Sequence, residues 1–98
     1  MAKYLILWEM DESRIPTDPK ERGAGWKILM DMVRKDMENG FLKDWGGFLG
    51  ENSGFSLFEG TELELGILLQ QYIPYVRFEV RPVGSVEHTD QIVAALLK

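Results

Sequence analysis

Apolar and polar residues alternate in four short stretches of the chain and recur at helical spacing in three others, in the order βαββαβ plus a terminal helix. In the first strand, residues 3–10, Tyr4, Ile6, Trp8 and Met10 share one face while Leu5 and Leu7 share the other, followed by Glu9. Apolar side chains on both faces mark a central strand, and the pattern suits either face for the helices. Residues 75–83 differ. Val76, Phe78 and Val80 alternate with Arg77, Glu79 and Arg81, and Pro82 lacks the N–H an inner strand needs, so this strand reads as an edge. Between them, residues 41–49 and 54–59 read as a hairpin turning through Gly50-Glu51-Asn52-Ser53. Gly46-Gly47 predicts a bulge or a close backbone approach within it.

The helices carry their own punctuation. Asp18 is placed as N-cap, Pro19 at the first helical position and Glu21 three residues on, a capping-box pattern. Trp26, Leu29, Met30, Val33 and Met37 then form one stripe, and Asn39-Gly40 ends the helix with Gly40 in the left-handed position. Gly23-Ala24-Gly25 weakens its first turns, or allows the helix to approach the sheet. Residues 11–17, with Ile15-Pro16, form a loop before it. Thr61 and Glu64 cap a second helix whose stripe is Leu65, Leu68, Leu69 and Tyr72, closed by Pro74. A short third helix spans roughly residues 89–97.

The simplest packing of this order is an α+β, ferredoxin-like βαββαβ antiparallel sheet with two helices on one face, in a single domain over residues 1–98. The first and third strands are then central, and Phe55, Leu57 and Phe58 suit that place. Two helices cover only one face of such a sheet. The other still carries large apolar side chains, which soluble monomers rarely expose as a contiguous patch. Burying about 600 Å² of apolar surface is worth on the order of 15 kcal/mol before association costs. A homodimer through the sheet face is the economical expectation, with the terminal helix packing on its own subunit or embracing the partner.

Composition narrows the function classes more than it selects one. The 98 residues carry a formal charge of −5, which disfavours nucleic acid and anionic membrane surfaces as partners. Cysteine is absent, so disulfides, thiolate nucleophiles and Cys-type metal sites are excluded. Apolar runs such as Ile92-Val93-Ala94-Ala95-Leu96-Leu97 fall far short of the roughly 20 residues of a membrane span. With no signal-peptide pattern at the start, a cytoplasmic protein is expected.

Four stretches carry a resemblance: Tyr4-Leu5-Ile6-Leu7-Trp8-Glu9-Met10, Ile15-Pro16-Thr17-Asp18-Pro19-Lys20-Glu21-Arg22, Leu42-Lys43-Asp44-Trp45-Gly46 and Pro74-Tyr75-Val76-Arg77-Phe78-Glu79-Val80. In these the chain resembles the dimeric α/β-barrel superfamily, and more closely a family of short uncharacterised prokaryotic proteins related to muconolactone isomerase. The resemblance implies two ferredoxin-like sheets packed together. It covers cofactor-free monooxygenases, isomerases, haem enzymes and non-enzymatic proteins alike, so it implies no particular reaction.

Candidate chemistry is sparse. His88, the only histidine, is the first choice for a base or a haem ligand, but the Glu87-His88-Thr89-Asp90 run has the look of a surface helix cap, which is the favoured reading. Glu9 beside an apolar cavity would shuttle protons with a raised pKa; equally, it marks where the strand meets water. Asp11-Glu12 lacks the spacing of a cation loop, and no metal is expected. Tyr4, Trp8, Trp45 and Phe48 suit an apolar pocket for a planar ligand, with Gly46-Gly47 making room, or else core and dimer interface. Arg77 and Arg81 suit a carboxylate clamp or surface ion pairs. Gly54-Phe55-Ser56-Leu57-Phe58 echoes an RNA-recognition strand, yet Ser53 stands where a basic residue is expected. We therefore expect a binding or interaction module with at most an apolar small-ligand pocket and no cofactor. The alternative is a cofactor-independent isomerase or monooxygenase acting on a small aromatic, lactone or quinone-like compound.

Overall fold

The computed structural model describes residues 2–98. Strands β1 (Lys3–Met10), β2 (Leu42–Gly47), β3 (Ser53–Glu59) and β4 (Val76–Val83) are interleaved with helices α1 (Pro19–Glu38) and α2 (Glu62–Gln70), and α3 (Val86–Leu96) follows. The strands form one antiparallel sheet in the order β2-β3-β1-β4. This is an α+β fold with a four-stranded antiparallel sheet and three helices, compatible with a ferredoxin-like arrangement. Among the described residues, no helix is long and apolar enough to cross a membrane.

Register decides what meets the helices. Ile6 pairs with Ser56 and Val80, and Trp8 with Gly54 and Phe78, so the Tyr4–Met10 set shares a face with Phe58, Val76 and Phe78. That face joins Val33 of α1 and Leu65 and Leu68 of α2 in one core, in which Ile6 (1% exposed) and Phe58 (0%) are sealed from solvent. The opposite face keeps Leu5 against Leu57 and Leu7 against Phe55 as cross-strand partners. Each stays half-buried through its neighbours, with no helix above it.

Local chemistry sets the ends of α1 and α2. Asp18 accepts the Glu21 N–H at 3.1 Å, the one half of the predicted capping box that forms at α1. At α2 both halves form: the Thr61 hydroxyl accepts the Glu64 N–H, and the Glu64 carboxylate accepts the Thr61 N–H at 2.9 Å. Gly40 takes φ +83°, as a left-handed helix stop requires. The buried stripe of α1 runs through Asp36 (5% exposed) rather than Met37 (41%). Both lie within one turn of Val33, and Asp36 wins because a hydroxyl from the α2–β4 turn meets it there.

The two glycine pairs come out differently. Of the two alternatives for Gly46-Gly47 the close approach is the one present, with the Phe55, Trp8 and Trp45 rings against them, while the irregularity in β2 falls between Leu42 and Asp44. An added Cβ at Gly23 or Gly25 meets nothing, so α1 does not use them to approach the sheet.

The third helix departs most from its prediction. It begins at Val86, capped by Ser85, whose hydroxyl accepts the His88 N–H at 3.1 Å. His88 therefore lies inside the first turn instead of before it, and Thr89 is the fourth residue of the helix rather than the first. Every residue of α3 is exposed, including Val86, Ile92, Val93 and Leu96. The radius of gyration, 16.3 Å, exceeds the roughly 13 Å of a compact chain this long, as a helix lying off the core requires.

Gly54 is the tightest of these positions, since a Cβ there would fall on the Gly46 carbonyl oxygen and the Trp8 indole. Gly54→Ala is expected to lose about 3 kcal/mol or more in urea denaturation. Gly23→Ala, in open helical space, is expected to gain about 0.5–1 kcal/mol in the same measurement.

Candidate functional site

Three tryptophans from three elements converge on the helix-covered side of the sheet. Trp8 of β1 stacks on Trp45 of β2 (centroids 5.3 Å apart, 11° between planes) and meets Trp26 of α1 edge-on at 6.1 Å. The Trp8 indole N–H donates to the Phe55 carbonyl oxygen at 3.2 Å, which fixes the ring against the sheet. Beneath this cluster lies a cavity of about 40 Å³, lined also by Leu29, Met30, Leu68 and Tyr72. A planar aromatic ligand needs roughly 150 Å³, so this space admits a water or two and no more.

The cavity borders a buried polar pair, Tyr72 and Asp36. The Tyr72 hydroxyl donates to Asp36 Oδ2 at 2.6 Å, joining the turn after α2 to α1 across 36 residues of sequence. Burial above all, with the hydrogen bond to and charge of Asp36, holds the Tyr72 hydroxyl far above its ordinary range. Asp36 was legible only as an acid three residues beyond Val33, on an otherwise apolar stripe.

The predicted site residues do not form one constellation. Trp8 and Trp45 share the small cavity. Phe48 lies towards the other face, stacked on Phe55 at 6.5 Å, and meets Glu9 in a depression of about 270 Å³ that Trp8 also touches. Glu9 is exposed and registered opposite Arg77. Tyr4 packs against Phe58 (6.2 Å) away from both hollows, and His88 is exposed on α3. Arg81 Nη2 pairs with Glu79 at 2.8 Å on its own strand. Among the described residues, no three His, Asp or Glu side chains converge as metal ligands would.

A third and larger hollow, about 340 Å³, opens between the β1–α1 loop, the first half of α1 and Tyr75. Its polar lining is Asp11, Arg14 and Arg22. The sequence offered little signal for it, because those residues sit in a loop and a first helical turn where charge is ordinary. Comparison of the chain with models of protein families and with curated proteins gave no match.

The Tyr72–Asp36 bond makes a pH prediction. The folded chain keeps the Tyr72 proton where the unfolded chain releases it, so this stabilisation is complete below about pH 10 and declines as pH rises above it. Tyr72→Phe is expected to cost about 1–3 kcal/mol at neutral pH, because it strands a buried carboxylate. Thermal melts from pH 7 to 11.5 should show the gap between the two proteins narrowing above pH 10.

Proposed function

We propose that the protein is a cytoplasmic homodimer of the dimeric α/β-barrel kind, a small binding or interaction module whose two sheets meet face to face. The observation that carries this reading is an amphipathic helix with no residue buried, in a chain whose sheet also has one uncovered apolar face. Leu5, Leu7, Phe55 and Leu57 form the centre of that face. Charges of both signs border it: Lys3 with Glu59 at 3.7 Å, Glu9 opposite Arg77, and Arg81 with Glu79. A second copy turned about a two-fold axis meets such a border with complementary charge, as a self-complementary interface requires.

Area argues for the helix taking part. Four strands of seven or so residues present a face of roughly 20 by 23 Å, or about 450 Å². A standard interface needs about 800 Å² per partner. An eleven-residue helix adds a strip of roughly 16 by 10 Å, about 160 Å², which brings the sum to about 610 Å² and into the lower end of the roughly 600–1,000 Å² per partner of specific interfaces. The sheet face and α3 together, rather than either alone, have the size of a stable contact.

The enzyme reading has less behind it. The 40 Å³ cavity under the tryptophans leaves no room for a planar substrate, the 340 Å³ hollow contains neither Glu9 nor His88, and those two residues lie exposed on separate elements.

Sedimentation equilibrium at about 10 µM should give twice the 11.3 kDa chain mass, and a stable 11.3 kDa species would overturn the proposal. Leu7→Lys, placing like charges at the centre of the face, should weaken the dimer by about 100-fold or more. A chain ending at Gly84 should keep its fold by circular dichroism, since α3 buries nothing, while dimerising at least about tenfold less tightly.

A further inference from the structure

The 340 Å³ hollow beside the β1–α1 loop has an apolar floor and a surplus of positive charge, and we infer that it binds a small organic carboxylate with an apolar body. This goes beyond the dimer reading and does not rest on it, because none of the lining residues belongs to the sheet face or the helix α3 of the proposed interface.

The floor is Met10, Trp26, Leu29 and the Tyr75 ring. The volume falls within the range of small-molecule sites, unlike the cavity under the tryptophans. The polar lining is two arginines against one carboxylate, on a chain whose net charge is −5. That carboxylate is already engaged. Asp11 accepts from the Ser13 hydroxyl at 2.7 Å and the Ser13 N–H at 3.1 Å, and it faces Arg14 Nε at 3.4 Å and Arg77 Nη2 at 3.6 Å. The same Ser13 bonds, above all, hold its pKa below the usual carboxylate range, so it stays ionised and shared.

Arg22 differs from its neighbours. Its Nη1 donates to the carbonyl oxygens of Thr17 (2.8 Å) and Pro16 (3.5 Å), and it has no carboxylate partner among the described residues. Those bonds hold the guanidinium in place, and its other N–H groups meet no acceptor among the described residues. Arg14 is also held, its guanidinium carbon 5.8 Å from the centre of the Tyr75 ring. A pre-positioned guanidinium with free donors is the preferred partner of a carboxylate, which it meets with two parallel bonds. The apolar floor selects an anion with a hydrocarbon or aromatic body over a small inorganic one.

Phenylacetate is the first probe, with 4-phenylbutyrate as its longer relative, followed by amide chemical shifts in ¹⁵N-labelled protein. Saturable shifts are expected at residues 11–16, 22–29 and 75. Phenylacetamide, of the same shape without the charge, should bind at least about tenfold more weakly. Arg22→Gln and Arg14→Gln should each lose about tenfold or more, and Arg22→Lys should lose less than Arg22→Gln. Leu7→Lys, monomeric or not, should bind as the parent does. Three results would overturn the inference: no saturable shift at these residues with either carboxylate up to about 10 mM, equal binding of the amide, or affinity indifferent to both arginine substitutions. Tighter binding of inorganic phosphate than of phenylacetate would overturn it too. So would shifts at the same residues that follow protein concentration alone, because a second copy would then be the occupant.

Discussion

The indole of Trp8 lies where Gly54 has no side chain, and most of the architecture depends on that fit. The ring spans three elements: it is anchored to β3 through the Phe55 carbonyl, stacked on Trp45 of β2, and capped edge-on by Trp26 of α1. Any side chain at position 54 would lift it from the sheet and push the β2 backbone aside. Because the ring is large, flat and hydrogen-bonded, it fills space that smaller residues would leave as a cavity.

That filling divides the molecule by task. The centre of the helix-covered side is spent on packing, with Phe58 and Ile6 sealed and about 40 Å³ left over under the tryptophans. What can meet another molecule lies elsewhere: on the Leu5–Leu7–Phe55–Leu57 face, along α3, and in the hollow rimmed by Arg14 and Arg22. The aromatic richness that suggested a ligand pocket at Tyr4, Trp8, Trp45 and Phe48 is distributed between core and open face, because successive strand residues point to opposite sides.

The elements were readable where one local rule dominates. Two-sided alternation placed β1 in the middle, Thr61 and Glu64 drew the start of α2, and Gly40 ended α1. Legibility stopped where partners are distant in sequence. Asp36 looks like a surface acid until Tyr72, 36 residues on, supplies its bond. The start of α3 was misplaced because Ser85 and Thr89 are both good caps, and Thr89 instead donates its hydroxyl to the Ser85 carbonyl. The arginine-rimmed hollow was invisible for the same reason as Asp36: Tyr75 and Arg22 are brought together by the fold, while neither belongs to a periodic pattern.

The exposed helix α3 comes last among the described elements. All four strands and both covering helices precede it in the chain, so in synthesis from the N-terminus the sheet has its full complement of residues before the exposed helix is made. Within one chain the core closes at a rate independent of concentration, while whatever covers α3 from outside arrives by collision and follows mass action. If α3 pairs as proposed, dilution releases that contact by mass action, while the core, to which no α3 residue contributes a buried side chain, does not depend on concentration.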